Sequence, residues 1–144
     1  MRVPRQFCTF VLDGTLLGVP VDVVQEVLRE QPTTPVPLAA PEVAGLMNLR
    51  GQIVTVIDLR VTLGLAPRTG AHPVNVVIRT RDGVVSLLVD RVGDVLEPPD
   101  AAFEAPPDTV PAALRCLLTA ICVLDDRLML VLDTELATRA RVAS

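Results

Sequence analysis

The chain has 144 residues, half of them apolar, with a formal net charge of −4, thirteen basic residues that are all arginine, and no tryptophan or tyrosine. That apolar share excludes a disordered chain, the length suits one domain with its own core, and an acidic balance without a basic run or a stacking series argues against phosphate-tracking nucleic-acid binding. No stretch approaches the roughly 20 apolar residues of a membrane-spanning helix, and the opening MRVPRQF lacks the apolar segment of a signal peptide, so a cytoplasmic protein without membrane insertion is expected.

With Phe as the only aromatic residue type, the core must come from Val, Leu, Ile and Ala, and the β-branched share favours strands. Phe7 to Leu12 reads as a strand ending at the hairpin dipeptide Asp13-Gly14, with Leu16 to Val21 as its partner and Pro20 at an edge or strand end. Val23 to Leu28 follows as a third strand. Pro32 to Pro41 holds four prolines in ten residues, so it is neither helix nor central strand but an extended linker. Leu46 to Leu49, the turn Arg50-Gly51 and Ile53 to Ile57 form the next hairpin, closed by Asp58, and Val61 to Leu65 suits one helical turn.

After a loop over Ala66 to Pro73, Val74 to Thr80 and Val84 to Val89 flank the turn Asp82-Gly83. Residues 97 to 111 are again rich in proline and acid. Leu114 to Leu124 and Leu128 to Leu132 read as a last hairpin about Asp125-Asp126, and Thr134 to Val142 as a short amphipathic helix.

An internal repeat organises these elements. Asp22-x-Val24-x-Glu26-Val27-Leu28 returns as Asp90-x-Val92-x-Asp94-Val95-Leu96, a shift of 68 from Asp22 to Asp90. Each copy follows an Asp-Gly turn and precedes a proline-rich stretch and then an apolar strand ending in Asp. Residues 1–144 therefore read as a single domain with approximate halves 7–65 and 74–137, each of about five strands, forming two small antiparallel barrels that share a core.

The residues of an enzyme are missing. His72 is the only histidine and sits in a loop; Ser86 and Ser144 are the only serines and neither lies in GxSxG. Cys8, Cys116 and Cys122 have no metal-ligand spacing and read as small buried hydrophobes in a reducing compartment. No phosphate-cradling glycine motif occurs. The expectation is no catalytic residue, no metal and no cofactor.

The segment Gly45-Leu46-Met47-Asn48-Leu49-Arg50-Gly51-Gln52-Ile53-Val54-Thr55-Val56-Ile57-Asp58-Leu59-Arg60 resembles the signature of CheW-like domains. Upstream, Val24 to Leu28 followed by Pro35-Val36-Pro37 is also similar to that family, as is Leu87 to Leu96 downstream. The resemblance covers about Phe7 to Ala137. It implies an all-β fold of two five-stranded SH3-like barrels packed together, with a groove between them and a short C-terminal helix. It also implies a non-enzymatic adaptor, recruited to receptor arrays at the inner face of the membrane, that bridges a chemoreceptor cytoplasmic tip and the regulatory domain of a CheA-type histidine kinase.

By that resemblance the receptor- or kinase-binding residues are Arg50, Glu26, Val24, Val27 and Val95. Arg50, in a turn before an apolar strand, suits either a clamp between the two halves or partner coupling. Strand alternation places Val24, Glu26 and Leu28 on one face and Val27 on the other, while the resemblance sets Val95 towards the groove. Gly45, Asn48 and Gly51 read as structural turn residues. Thr55, Ser86, Ala120 and Cys122 depart from the usual family residues. The competing readings are a paralogue acting only as a receptor-binding spacer in a surface-motility or gene-regulation pathway, a small ligand- or nucleic-acid-binding barrel, and a hydrolase using surface carboxylates.

Overall fold

The computed structural model describes residues 5–67 and 72–139. Its strands are β1 (Phe7–Leu12), β2 (Thr15–Pro20), β3 (Val24–Arg29), β4 (Val43–Leu49), β5 (Gln52–Asp58), β6 (Val74–Thr80), β7 (Gly83–Val89), β8 (Arg91–Leu96), β9 (Phe103–Glu104), β10 (Leu118–Val123) and β11 (Leu128–Leu132). Three short helices follow the apolar runs: α1 (Leu59–Thr62), α2 (Ala112–Arg115) and α3 (Thr134–Thr138). Turn chemistry sets several boundaries: Asp13 and Gly14 both take positive φ, 50° and 78°, which is what a two-residue hairpin turn with the right-handed strand twist requires. Pro20 ends β2 opposite Phe7, where its missing N–H removes no interior ladder bond.

The strands form a six-stranded sheet in the order β8-β1-β2-β11-β10-β9 and a five-stranded sheet in the order β3-β6-β7-β5-β4. The fold is all-β, as the sequence implies, with two departures from a pair of antiparallel five-stranded barrels. Two contacts are parallel, β2 with β11 and β5 with β7. The sixth strand is β9, which pairs Glu104 with Ile121; the corresponding contact in the other sheet is the single bridge between Thr34 and Leu46.

The repeat is also a repeat of register. Val24 and Val27 on β3 pair with Ile78 and Val76, and Val92 and Val95 on β8 pair with Phe10 and Cys8, so every residue and every partner shifts by 68. A second shift of 75 carries Val43 and Gly45 to Leu118 and Ala120, where both strands are irregular, and carries Asp58, which caps α1, to Asp133, which caps α3. The sheets do not follow the two halves of the sequence. After each leading hairpin the third strand crosses over: β3 joins β6 in the second sheet and β8 joins β1 in the first. Neither half completes a sheet without the other.

One apolar cluster joins the sheets. Phe10, Leu12, Leu17 and Val19 from the first meet Ile57, Val76, Ile78, Leu87 and Val89 from the second. Each sheet also closes on a smaller cluster of its own, around Phe7, Cys122 and Met129 in the first and Met47, Val54, Val56 and Val77 in the second. Strand alternation feeds both faces, so neighbours such as Val76 and Val77 serve different cores. Ser86 and Asn75 are buried in the second sheet and satisfy each other through the Ser86 Oγ–Asn75 Oδ1 hydrogen bond of 2.8 Å.

Three expected elements differ. Leu114 to Leu124 is not one strand: Ala112 to Arg115 turns as α2 behind Pro111, because Pro-Ala-Ala-Leu starts a helix readily, and β10 begins only at Leu118. The helical turn expected at Val61 begins earlier, at Leu59, because the Asp58 carboxylate accepts the Arg60 N–H. The C-terminal helix spans Thr134–Thr138; the expected end at Val142 and part of the loop before Pro73 lie outside the described residues. Cys8 and Cys122 are buried, and burial pushes both thiols up, whereas Cys116 is exposed rather than buried because it sits at the end of the surface helix α2.

Where β7 of one sheet passes to β8 of the other, Asp90 is held by Arg60 from α1. Arg60 Nε and Nη2 fork onto the two carboxylate oxygens of Asp90 at 2.9 and 2.7 Å, and Nη1 donates to the Ala66 carbonyl at 2.7 Å. Asp90 also accepts the backbone N–H of Asp13, from the β1–β2 turn, at 2.9 Å. One carboxylate thus ties an element of each sheet to the crossing point. The hydrogen bond to Asp90 holds the Arg60 proton more firmly than in a free guanidinium. Lysine keeps the charge but cannot fork. Arg60→Lys is expected to lower the urea midpoint and Arg60→Met to lower it further, both with an unchanged m-value; midpoints equal to that of the native chain would remove the clamp from the account.

Candidate functional site

The five-stranded sheet ends at two edges, β3 and β4, and the candidate site is where those edges are tied together. The β4–β5 hairpin turns at Arg50-Gly51, with φ of 49° and 88°. Gly51 takes that conformation freely, and its N–H is accepted by Asn48 Oδ1 at 2.7 Å, so Asn48 closes the turn. From this tip the Arg50 guanidinium reaches the Glu26 carboxylate on β3, forming a charge-assisted hydrogen bond between Nη2 and Oε2. Since β3 and β4 are the outermost strands of the same sheet, the ion pair requires the sheet to curl until its edges meet. The pair lies within the first half of the sequence, so Arg50 does not clamp the two halves to each other; it closes one sheet.

Electrostatics follow this geometry. The Arg50 side chain is 67% exposed and that of Glu26 23%. The Arg50 hydrogen bond holds the Glu26 carboxyl below the ordinary glutamate range against an opposing desolvation effect.

The other expected residues are placed as follows. Val27 is 42% exposed on the face of β3 opposite Glu26. Val24 does not share the face of Glu26 and Leu28: the register of β3 on β6 shifts between Val24 and Glu26, and this bulge turns Val24 towards the core between the sheets while Leu28 packs in the core of its own sheet. Simple alternation could not register an extra residue. Val95, 56% exposed, occupies the position on β8 that Val27 occupies on β3 and so belongs to the other sheet. Gly45 takes φ of +151°, and a Cβ there would overlap the Thr34 carbonyl, which bonds Leu46 across the Thr34–Leu46 bridge. Its role is close approach of the proline-rich segment to β4.

The equivalent end of the six-stranded sheet is built differently. The counterpart of Glu26 is Asp94, and the counterpart of the Arg50-Gly51 tip is the turn at Asp125-Asp126, closed by Leu124 N–H to the Arg127 carbonyl at 2.9 Å. The counterpart positions are all acidic, so the Glu26–Arg50 pairing has no equivalent there. Sequence reasoning missed the Arg60–Asp90 fork although both residues stand in the segments singled out; the signal was an Arg and an Asp each placed just after an apolar strand. Among the described residues no three His, Cys, Asp or Glu side chains gather as a metal site, and no helix is long and apolar enough to cross a membrane.

Comparison with known proteins follows the same lines. A family profile described as the CheW-like domain matches residues 6–141. The chain is 29% identical over 133 residues to the probable chemotaxis protein CheW of Rhizobium etli, covering 91% of this chain and 85% of that one. It is 34% identical over 118 residues to protein FrzA of Myxococcus xanthus, covering 72% of each. The crystal structure of the scaffolding protein TtCheW from Thermoanaerobacter tengcongensis superposes with a TM-score of 0.85 at 25% identity, covering 95% of this chain and 89% of that one.

Two expectations follow from the site. Gly45→Ala should destabilise the domain by about 1–3 kcal/mol in denaturant unfolding, the size of a strained backbone position, whereas Gly64→Ala, also at positive φ but with open space around it, should cost less. Because the folded-state carboxyl of Glu26 titrates below its unfolded value, its contribution is present above the unfolded range and fades as pH falls through the folded range. The melting-temperature gap between the native chain and Glu26→Gln should therefore be widest near neutrality and close in acid; a gap that widens in acid would contradict the ion pair.

Proposed function

The chain belongs to the CheW-like domain family, whose members are scaffolding adaptors rather than enzymes, and from that premise we propose that it couples a chemoreceptor cytoplasmic tip to the regulatory domain of a CheA-type histidine kinase. The reading rests most directly on the agreement of fold along nearly the whole chain, joined to the Glu26–Arg50 clasp at the edge of the five-stranded sheet. An adaptor works by binding alone, so its site needs rigid display and complementary charge rather than a nucleophile or a base.

The surface we assign to partners centres on the Glu26–Arg50 clasp. Arg50 keeps donors directed to solvent while Glu26 fixes one end of its guanidinium, an arrangement that presents a cation in a fixed place at little further ordering cost on binding. Val27 adds an exposed apolar contact on the same strand, and Val95 supplies the equivalent contact on the other sheet. Val24 acts from within, holding β3 against the core. A receptor helical hairpin offers an apolar stripe with flanking charges, which such a mixed surface suits.

The deciding experiment presents the purified chain to a receptor cytoplasmic fragment and, separately, to a kinase regulatory domain, both from the same organism. Binding to both is expected, with Arg50→His weakening at least one of them by about tenfold while the melting temperature falls no further than in Glu26→Gln, which breaks the same ion pair. Binding to the receptor alone would make the chain an array spacer. A folded chain that binds neither would refute the coupling role and leave the family assignment standing.

A further inference from the structure

Among the described residues three polar side chains are buried: Asn75, Ser86 and Thr9. The first two satisfy each other, which leaves Thr9 to be explained. It stands between Cys8 and Phe10 in β1, a strand otherwise made of apolar residues, and is 2% exposed. Its hydroxyl donates across the strand pair to the Asp94 carbonyl on β8 at 2.5 Å.

The acceptor sits in a bulge. Cys8 pairs with Val95 and Phe10 with Val92, so Gly93 and Asp94 together stand opposite the single residue Thr9. A bulge of this kind takes backbone groups out of the ladder and leaves them to find other partners. Thr9 supplies the donor for one of them, the Asp94 carbonyl. Gly93 makes room for it, since a Cβ there would come within 2.7 Å of Thr9 Oγ1. A β-branched threonine is stiff at its first side-chain torsion, so the oxygen cannot swing aside without giving up the bond.

The repeat shows what this bond replaces. β3 carries the same bulge on β6, between Val24 and Glu26, and the 68-residue shift carries Gln25 to Gly93, Glu26 to Asp94 and, on the facing strand, Thr9 to Val77. Val77 is a core valine with no side-chain donor, and there the edge is held by the Glu26 carboxylate through Arg50. At the other end the tip residues are Asp125 and Asp126, and residue 94 is held by its backbone carbonyl instead. Both outermost strands are thus anchored at the same repeat position, one residue before the exposed valines Val27 and Val95. The anchor matters for those valines because a bulge sets register. Without it β8 would slip by one residue on β1 and turn Val95 to the opposite face.

We propose that Thr9 and Gly93 are positioning residues for the partner surface at Val95, the Thr9 hydroxyl fixing the bulge of β8 as the Glu26–Arg50 clasp fixes the edge of β3. The effect on binding rests on the coupling role and on Val95 as a contact; the hold on β8 does not.

Two substitutions separate donor from shape: Thr9→Val keeps the shape and removes the donor, and Thr9→Ser keeps the donor. Native-state amide hydrogen exchange reads the hold on the strand. Thr9→Val should speed exchange of the protected β8 amides by about tenfold more than those of β3, and Thr9→Ser should not. Gly93→Ala should lower the melting temperature, and most of that loss should vanish in a chain that also carries Thr9→Ala, where the new Cβ meets no oxygen. Binding reads the positioning role. At a temperature where every variant is folded, Thr9→Val should weaken by about fivefold the same partner that Val95→Ala weakens, receptor fragment or kinase regulatory domain, with Thr9→Ser close to the native chain. Exchange that rises equally in β3 and β8, or a Val95-dependent partner indifferent to Thr9→Val, would overturn the proposal. A native chain that binds neither partner would refute the coupling role instead, and exchange in β8 then decides on the Thr9 bond alone.

Discussion

The structure depends on a chain that must leave one sheet for the other after each leading hairpin, and on the Asp90 carboxylate that fixes one of those crossings. β3 and β8 are exchanged between the sheets, so neither sheet can be completed from one half of the sequence. A crossing strand offers few ladder bonds at the moment it changes partners, and its position must be set by something else. Arg60 and the Asp13 N–H converge on Asp90 there, bringing α1 and the β1–β2 turn to the same point. The other crossing has no such fork: the counterpart of Asp90 is Asp22, whose carbonyl accepts Arg79 at 3.0 Å, and the counterpart of Arg60 is Glu135, which accepts the Arg81 N–H. Equivalent positions have kept the task of tying loops together and changed the chemistry that performs it.

The same divergence separates the two ends of the molecule. Two sheets of common register would present two similar surfaces if their side chains matched. Here one end carries Glu26 clasped by Arg50, and the equivalent end carries Asp94 with Asp125 and Asp126. The backbone plan is shared while the charge differs, a neutralised pair at one end and acids alone at the other. That difference costs little in stability because these groups lie at or near the surface.

Much of this was legible in the sequence, and the reasons are physical. Asp-Gly and Arg-Gly dipeptides mark hairpins because glycine takes positive φ freely, so β1–β2, β4–β5 and β6–β7 stand where expected, with both turn residues at positive φ in the first two and Gly83 alone in the third. The 68-residue repeat carried through to pairing because register is fixed by which residues must be buried. What was not legible needed partners distant in sequence. The parallel contacts β2–β11 and β5–β7 leave no local pattern, and the bulge that turns Val24 from Glu26 is invisible to alternation. Arg50 was singled out, but its partner lies 24 residues away on the opposite edge of its sheet, and nothing local shows that those edges meet.

Among the described residues three side-chain-bearing positions adopt positive φ: Asp13, Arg50 and Leu38. The first two are explained by what they close, since each begins a tight hairpin and each is followed by glycine. Leu38 closes nothing that glycine or asparagine would not close better, and its side chain touches water. A sequence that is locally consistent almost everywhere makes one locally inconsistent choice, and it does so on the stiffest exposed loop it has. Inconsistencies of that kind persist where something outside the free fold compensates for them.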